Sequence, residues 1–456
     1  MEKDVTIIGA GLTGLSAGVA LKRRGISFAV LEKSDRAGGQ VRTYHEDGFA
    51  FESGPNTGSG MSEELMNLYD LLSDQCQIEY ATKEAESRWI WKNGKFHNLP
   101  SGLWGGITTP LFTLSDKFRI LGEPWRPKGT DPDESVGSLA SRRLGKSFVD
   151  YAVDPFLSGI YAGDADALVT RHALPKLYEL EQNYGSFIRG SIALAKKAKE
   201  KPKTSGSSAI FSTKNGMEEL PKAMANFIGK ENLFLSTDDI SIVPDSETGY
   251  WVVKGTQNGQ PVEIKSKEVI TTIGSYALPS VLPFVDADDM SKISNLRYSP
   301  VVQVAVGVKD SRPLKFNAFG GLFSSKDNED FLGILFPSAC FVNRSPENGT
   351  LFSFFMGGMK KIGITELPDS EIENKVLKGF HQKLKFPATK EPDLIRIFRH
   401  KYAIPQYEKS SEDRFRTVEK LEKQYKGLHI AGNLRDGIGM GQRILQGTLL
   451  GKEVLK

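Results

Sequence analysis

The spacing of apolar residues predicts a strand, a helix and a second strand at the start of the chain. Residues 4–8 are apolar and β-branched and predict a short buried strand. Residues 12–24 are rich in small residues and predict a helix, and residues 27–31 predict a second strand that ends at Glu32. A strand–helix–strand unit of this kind is typical of Rossmann-type α/β domains.

The remaining apolar pattern divides the chain into three blocks. Residues 96–208 predict helices, one of them from about residue 136 to 151. Residues 209–285 return to strands and one helix. Residues 286–410 alternate in the manner of an antiparallel sheet, with a helix near 370–384. We therefore expect a fold of the α/β and α+β classes with more than one domain.

Composition changes this picture little. The 456 residues suffice for two or three domains, and 39% hydrophobic and 25% charged residues are ordinary for a soluble globular protein. A net charge of +3 gives no reason to expect a nucleic-acid partner. Cys76 and Cys340 lack the spacing of a metal site and indicate a reducing compartment. We expect no metal, no signal peptide and no transmembrane span, since no apolar run reaches roughly 18 residues.

Three glycines follow the first strand with the spacing of a dinucleotide-binding turn. Gly9 allows a tight turn, Gly11 lets the backbone approach a pyrophosphate, and Gly14 lets the helix pack close to the strand. The N-terminus of the following helix favours negative charge. Glu32 is placed to accept hydrogen bonds from ribose hydroxyls. These residues predict a dinucleotide site.

A second glycine motif follows Glu32, namely Arg-Ala-Gly-Gly-Gln-Val-Arg-Thr at residues 36–43. It resembles the segment after the ribose-binding acid in the amine-oxidase-like flavoprotein superfamily, and that resemblance implies FAD. In that superfamily the glycines bring the backbone close to FAD and the arginine neutralises phosphate charge. This chain has Gln40 where members often have arginine. Residues 427–441, a strand, a glycine-rich loop and the start of a helix, resemble the superfamily's C-terminal end.

The resemblance implies which residues hold the cofactor. No cysteine lies between residues 341 and 456, where some members attach FAD covalently, so we expect noncovalent FAD. The cofactor-binding residues that the resemblance and the first glycine motif predict are Gly9, Gly11, Leu12, Thr13, Gly14, Glu32, Lys33, Gly38, Gly39, Arg42, Thr43, Gly54, Pro55, Asn56, Thr57, Ile240, Gly432, Asn433, Gly439 and Met440.

Further motifs resemble the protoporphyrinogen oxidase family within this superfamily. They lie at residues 51–57 (Phe-Glu-Ser-Gly-Pro-Asn-Thr), 88–95 (Arg-Trp-Ile-Trp-Lys-Asn-Gly-Lys), 154–168 (beginning Asp-Pro-Phe), 177–186 and 354–358 (Phe-Phe-Met-Gly-Gly). The resemblance extends essentially end to end. It implies an oxidoreductase that converts protoporphyrinogen IX to protoporphyrin IX in heme biosynthesis, with dioxygen as the electron acceptor.

The resemblance also implies residues that orient the substrate, and no general base is among them. They are Asn56 in the segment nearest flavin and substrate, Arg88 for a propionate, Leu322 and Leu335 as aliphatic clamps, Phe355 stacked on a pyrrole ring, and Gly159 where backbone approaches the macrocycle. Without the resemblance, Leu322, Leu335 and Phe355 would be interpreted as sheet core and Arg88 as a surface arginine.

The domain organisation combines the pattern with the resemblance. We predict a discontinuous Rossmann-type FAD-binding domain (1–84, 209–285 and 411–456), a mixed-sheet substrate domain (85–95 and 286–410) and a helical, membrane-facing domain (96–208). Trp104 and Phe112 could equally be packed core. The resemblance implies peripheral contact with the cytoplasmic membrane from the cytoplasmic side. A homodimer stays open.

Three alternatives remain at this point. A coproporphyrinogen III oxidase of the same family would need more positive charge in its pocket, for which the candidates are Arg297, Arg312, Arg344, Lys360 and Lys361. A flavin amine oxidase usually holds a lysine near flavin N5, where this chain offers Gln303. An FAD-stabilised binding protein is the non-catalytic alternative, and the intact segment 51–57 argues against it.

Overall fold

Strands and helices follow the predicted order along the chain. The computed structural model describes residues 1–100, 108–200 and 209–456. Its strands are β1 (Glu2–Ile8), β2 (Phe28–Leu31), β3 (Thr43–Glu46), β4 (Phe49–Glu52), β5 (Gly58–Ser59), β6 (Ile78–Tyr80), β7 (Trp89–Lys92), β8 (Lys95–Asn98), β9 (Ile210–Thr213), β10 (Leu233–Phe234), β11 (Thr237–Pro244), β12 (Trp251–Gln257), β13 (Gln260–Thr271), β14 (Tyr298–Val308), β15 (Gly320–Leu322), β16 (Phe331–Leu335), β17 (Thr350–Gly357), β18 (Leu394–Pro405) and β19 (Leu428–Ile430).

The helices lie between these strands and in the block predicted to be helical. They are α1 (Leu12–Arg23), α2 (Glu63–Leu71), α3 (Leu114–Leu121), α4 (Val136–Leu144), α5 (Lys146–Phe148), α6 (Asp154–Tyr161), α7 (Thr170–Ala173), α8 (Pro175–Tyr184), α9 (Phe187–Glu200), α10 (Glu219–Ile228), α11 (Leu278–Val281), α12 (Ala287–Ser294), α13 (Pro337–Cys340), α14 (Asp369–Gln382), α15 (Ser411–Gln424) and α16 (Met440–Glu453).

The first sheet is built around the predicted strand–helix–strand unit. β10, β2, β1, β13 and β19 pair in parallel in that order, and β12 and β11 extend the sheet from β13 in antiparallel pairing. β2 and the second half of β1 are fully buried, as expected for parallel strands whose two faces are covered. The strands come from residues 2–31, 233–271 and 428–430, so distant parts of the chain complete one Rossmann-type sheet.

α1 and α16 run parallel and pack with direct backbone contact. A Cβ atom added to Gly447 would lie 2.0 Å from the carbonyl oxygen of Thr13, and one added to Gly451 would lie 2.6 Å from that of Ala17. From the bounds of the two helices, the N-terminus of α16 lies about two turns ahead of the N-terminus of α1. Two helix N-termini therefore point in the same direction, one behind the other.

The second sheet has the order β18-β14-β17-β16-β15-β7-β8, and only β15 and β7 pair in parallel. One face packs under α14 and forms an aromatic and aliphatic core that includes Val304, Ile334 and Phe354. The opposite face turns towards residues 52–56, because Gln303 Nε2 donates to the carbonyl of Glu52 at 2.8 Å.

The second sheet includes residues 96–98, which the sequence pattern assigned to the helical block. β8 continues through Asn98, since the turn at Asn93–Gly94 closes a β7–β8 hairpin whose last pair is Trp89 with Asn98. The helical block therefore begins after residue 98 in the structure.

Helices α3 to α9 form the helical block. Phe112 is buried and stacks on Phe148 with ring centroids 5.2 Å apart, so it is packed core, whereas Trp104 lies outside the described residues. The helix predicted over 136–151 ends early. Gly145 follows α4 as its C-cap, and a π-helical segment, Val149–Val153, leads into α6.

One face of α3 and the turn after it is apolar and exposed. Leu114, Phe118, Leu121 and Trp125 follow one another at the i, i+4, i+7 and i+11 positions of a helix, and they are between 61 and 78% exposed. We call these four residues the apolar face. No helix in the described part of the chain is both long and apolar enough to cross a bilayer.

Candidate FAD and substrate site

The N-terminus of α1 is open to a ligand. No side chain in the described part of the chain caps it, and the first hydrogen bond of the helix runs from Leu15 N to the Gly11 carbonyl at 2.9 Å. The N–H groups of Leu12, Thr13 and Gly14 are therefore free of intrahelical partners. A Cβ atom on Gly11 would meet nothing within 4 Å, which leaves space in front of these donors. This end of α1 fits a pyrophosphate.

Glu32 lies at the end of β2 and is fixed by the backbone. Its Oε2 accepts from Ala10 N at 2.7 Å and its Oε1 from Ser34 N at 2.9 Å, which leaves lone pairs for ribose hydroxyls. Lys33, a predicted cofactor-binding residue, directly follows Glu32. Its ammonium lies 3.6 Å from Asp238 and its side chain is 83% exposed. Ile240 is half-buried on β11, close after Asp238.

The two glycine motifs contact each other. Gly38 N donates to Ala10 O at 2.8 Å, and a Cβ atom on Gly39 would lie 3.3 Å from the Cα of Gly11. Arg36 holds the second motif, since its guanidinium donates to the carbonyls of Gly39 and Val41 at 2.7 and 3.0 Å. Arg36 was not among the residues predicted from the sequence to form the cofactor site. The position of a basic residue just before a glycine pair could have indicated this role.

Arg42 and Thr43 follow this loop with different roles. The Arg42 guanidinium is exposed and lies over the Tyr44 ring at 4.7 Å, so it is available to a phosphate. The Thr43 hydroxyl donates to Glu52 Oε2 at 2.8 Å and accepts from Glu218 N at 3.1 Å. Thr43 therefore joins two segments of the protein through its side chain.

Residues 52–56 cross the second sheet. Besides the Gln303 contact, Ser353 Oγ donates to Asn56 Oδ1 at 2.9 Å, and Asn56 Nδ2 donates to Gly54 O at 3.0 Å. Asn56 is buried, while Gly54, Pro55 and Thr57 beside it are partly exposed. The predicted flavin segment thus lies directly on β14 and β17.

Glu52 gives the protein a testable pH dependence. Burial raises the pKa of Glu52 to about 7, against the hydrogen bonds from Met217 N and Thr43. The folded state binds the proton more tightly than the unfolded chain, so stability falls as pH rises from about 4.5 to 7, by roughly 3 kcal/mol. We expect Glu52→Gln to flatten this fall in Tm measured between pH 4.5 and 8.

The exposed Glu63→Gln serves as the control and should keep the wild-type profile. A Glu52→Gln profile with the wild-type slope would contradict the assignment of the slope to this carboxyl.

An open face lies on the second sheet, opposite its core. Leu322 on β15, Leu335 on β16 and Phe355 on β17 point to the same side, because Leu322 pairs with Gly333 and Gly333 pairs with Phe355. All three are half-buried, whereas Ile334 and Phe354 on the other side are fully buried. We call Leu322, Leu335 and Phe355 the open face. They are not packed in the sheet core, the alternative that the pattern alone favoured.

α6 covers the β15 end of the open face. A Cβ atom on Gly159 would lie 2.9 Å from Leu322 Cδ2, so glycine at this position allows the close approach of α6 to Leu322. Asp154 at the start of α6 accepts from Ser325 N at 2.8 Å and from Lys360 Nζ at 2.7 Å. These contacts fix the helical block on the loops of the second sheet.

Arg88 lies at the edge of the open face. The pairing of Trp89 with Gly321 and of Ile90 with Leu322 puts Arg88 on the side of Leu322, one residue before β7. Its guanidinium is exposed and lies 5.7 Å from the Phe319 ring centroid. Within the described ranges no carboxylate comes within 4.0 Å of it.

The C-terminal loop leads to the open N-terminus of α16. Gly439 precedes this helix. Within the described residues no side chain from another element caps the helix, and Arg443 N makes the first helical hydrogen bond to Gly439 O at 3.0 Å. Tyr298 Oη lies 3.3 Å from Asn433 Oδ1. With Gly432 and Met440, the C-terminal residues predicted from the sequence therefore flank a second helix N-terminus, about two turns ahead of the first.

The structure combines a Rossmann-type sheet that has two open helix N-termini with a second sheet that has an open apolar face. This combination is that of a flavin-dependent oxidoreductase, and FAD is its cofactor. The flavin containing amine oxidoreductase family matches residues 12–441. The chain belongs to this family.

Individual relatives agree with the resemblance to protoporphyrinogen oxidases. Protoporphyrinogen oxidase 2 of Arabidopsis thaliana is 28% identical, and the alignment covers 98% of this chain and 92% of the relative. Coproporphyrinogen III oxidase of Bacillus subtilis is 26% identical over 98% and 96%. A crystal structure from Exiguobacterium sp. 255-15 superposes with a TM-score of 0.81 at 23% identity, covering 99% and 98% of the two chains, and supports the fold.

Proposed function

We propose that the enzyme oxidises protoporphyrinogen IX to protoporphyrin IX and passes the electrons to dioxygen. Six electrons and six protons leave the macrocycle in three two-electron steps, while three molecules of dioxygen become three of hydrogen peroxide. The observation that carries the proposal is the open face, a half-buried apolar surface beside the flavin segment with an unpaired arginine at its edge. The names of the relatives support the same substrate class.

Each group at the open face has a task that its chemistry suits. Arg88 binds a propionate, for which the two parallel donors of a guanidinium are well matched. Leu322, Leu335 and Phe355 hold the plane of the macrocycle against the flavin segment. The chemistry that FAD supplies is acceptance of a hydride from a meso carbon. Because the substrate is electron-rich and the product aromatic, no strong general base is needed.

The pairing of the candidate basic side chains favours a dicarboxylate over coproporphyrinogen III, which has four carboxylates. The five other basic side chains that could serve extra carboxylates are engaged with acids at 2.6 to 4.0 Å: Arg297 with Glu408, Arg312 with Asp310, Arg344 with Glu79, Lys360 with Asp154 and Lys361 with Asp330. Arg88 is the exception among the six in the described part of the chain. A tetracarboxylate would need more free positive charge there.

An amine substrate is disfavoured at the same place. Gln303 stands where an amine oxidase usually has lysine, and its amide is buried and donates to Glu52 O. Through this hydrogen bond the Gln303 side chain holds the predicted flavin segment in place.

Anaerobic mixing with each porphyrinogen tests the proposal. Protoporphyrinogen IX should bleach the flavin absorbance, and admission of dioxygen should restore it with the appearance of porphyrin fluorescence and hydrogen peroxide. Faster bleaching by coproporphyrinogen III would favour the alternative. A flavin that bleaches with neither porphyrinogen would overturn the proposal.

We also propose that the apolar face contacts a membrane surface. Four large apolar side chains on one helical face expose a surface that water solvates poorly, and Lys117, Arg119 and Arg126 lie beside it in sequence. The substrate is itself apolar, which makes delivery from a bilayer useful. We expect Phe118→Ser with Trp125→Ser to weaken binding to vesicles of phosphatidylcholine and phosphatidylglycerol at least about tenfold.

Co-sedimentation with these vesicles measures the effect. Val342→Ser is the matched control, because Val342 is 59% exposed and lies outside the helical block. Wild-type protein that stays entirely in the supernatant would contradict the contact, and so would equal sedimentation of the double variant.

A further inference from the structure

Two arginines behind the C-terminal loop are buried without a carboxylate partner. Arg414 on α15 is fully buried, and Arg443 in the first turn of α16 is 8% exposed. In residues 1–100, 108–200 and 209–456, no carboxylate oxygen lies within 4.0 Å of either guanidinium. Arg414 Nη1 and Arg443 Nε are buried atoms with no hydrogen-bond partner among the same residues. The contrast is Arg143, which is equally buried but lies 2.9 Å from Glu123.

The nearest acids are engaged elsewhere. Asp436 interacts with the Arg443 guanidinium only through longer-range electrostatic attraction. Its Oδ2 accepts a hydrogen bond from Gln446 Nε2 at 2.6 Å. Glu408 acts on Arg414 at longer range and lies 3.2 Å from Arg297. The phenol of Tyr407 is a third neighbour, but burial raises its pKa to about 12, so it carries no charge at neutral pH.

The two guanidinium groups and the Tyr407 phenol hold the loop from its buried side. Arg443 donates to Gly432 O and, at 2.9 Å, to Arg435 O. Tyr407 Oη donates to Asn433 O at 3.0 Å, and Arg414 Nε donates to Leu434 O at 2.9 Å. Four successive carbonyls, from residue 432 to 435, are thus held by buried donors.

This loop borders the dinucleotide turn. A Cβ atom on Gly432 would lie 3.0 Å from the carbonyl oxygen of Thr272, and the Thr272 hydroxyl donates to Ile8 O at 2.9 Å. Gly9 contacts the same threonine side chain. Arg443 also belongs to the first turn of α16, so its charge adds to the positive end of that helix. Both cations therefore lie behind the loop that borders the predicted FAD site.

A buried cation without a counter-ion is costly. We propose that Arg414 and Arg443 are positioning residues whose positive charge is compensated by the negative charge of bound FAD. The cofactor offers negative charge in two places. Its pyrophosphate is anionic in both redox states, and its flavin gains one negative charge when it takes up two electrons and one proton.

The test uses the full-length holoprotein with four variants. Arg443→Met and Arg414→Met remove the charge, while Arg443→Lys and Arg414→Lys keep it. Arg416→Met is the matched control, since Arg416 is on α15 as well but its side chain is 74% exposed. Serial dilution with detection of released FAD fluorescence gives the dissociation constant, and equilibration with redox dyes gives the midpoint potential of the bound flavin.

We expect the methionine variants to weaken FAD binding about ten- to a hundredfold, because each removes one buried positive charge that acts on the anionic cofactor through a low-dielectric interior. The lysine variants should recover most of this loss, and Arg416→Met should match the wild type. If the variants lose the same affinity for oxidised and for reduced FAD, the charge that compensates the arginines is that of the pyrophosphate. A more negative midpoint potential assigns it to the reduced flavin.

Unchanged FAD affinity and potential in the methionine variants would overturn the proposal. Lysine variants as impaired as the methionine variants, at wild-type potential, would also overturn it, because a packing role alone gives that result. If the methionine variants do not fold, FAD affinity in the lysine variants still decides. No readout involves a porphyrinogen, so this test is separate from that of the proposed substrate.

Discussion

Replacing Arg88 with alanine should raise the KM for protoporphyrinogen IX about tenfold or more and change kcat less than about threefold. A propionate bound by Arg88 lies far from the reacting meso carbons, so its contact contributes equally to the ground state and the transition state. A charge-assisted pair of hydrogen bonds contributes about 1.5–3 kcal/mol, and each 1.4 kcal/mol is a factor of ten.

Two comparisons sharpen this experiment. Arg88→Lys keeps the charge but loses the bidentate geometry and should give an intermediate KM. Arg312→Ala removes an arginine that is paired with Asp310 on the surface and should leave KM unchanged. A substrate whose propionates are esterified should show the same KM with wild type and Arg88→Ala. An Arg88→Ala enzyme with the wild-type KM for the free acid would contradict the role.

Replacing Glu123 with glutamine should destabilise the helical block by about 1–3 kcal/mol, because the buried Arg143 loses one of its two carboxylate partners and keeps Glu181 at 3.3 Å. Glu123 and Arg143 are both fully buried and 2.9 Å apart. Glu123 also accepts from Phe187 N and Ile188 N at 3.0 and 3.3 Å, at the start of α9. The carboxylate thus neutralises a buried cation and caps a helix at once.

Thermal unfolding and limited proteolysis of the helical block measure this effect. Glu123→Leu combined with Arg143→Met should recover part of the stability, because no isolated charge is left buried. Asp133→Asn is the control, since its partner Arg171 is partly exposed and such pairs contribute about 1 kcal/mol or less. Equal Tm values for Glu123→Gln and Asp133→Asn would contradict the expectation.

The dinucleotide half of the site could be predicted because its determinants are local. Gly9, Gly11, Gly14 and Glu32 act at fixed separations along one strand–helix–strand unit, so spacing in sequence is spacing in space. The order of strands and helices was predictable for the same reason. Phe112 was ambiguous, because an apolar helix residue can face core or membrane, and only its stacking on Phe148 distinguishes the two.

The second half depends on register and on distant contacts. Strand alternation alone does not determine which face of the sheet Leu335 and Phe355 lie on. Only the pairing of β15, β16 and β17 assigns them to the open face instead of the core. Arg414 and Arg443 have no local signal at all, because their carbonyl partners lie in a loop 8 to 20 residues away. The roles of Arg88, Gly159 and the open face stay predictions until substrate is tested.

The packing of α1 against α16 joins two helices that are separated by most of the sequence. Because a chain is synthesised from its N-terminus, the first glycine turn is made well before the helix that packs on it and before β19, which lies beside β13. A chain in which residues 440–453 have not yet been made therefore has only one of the two helix N-termini at the cofactor site. We accordingly expect FAD to bind only after residues 440–453 have been synthesised.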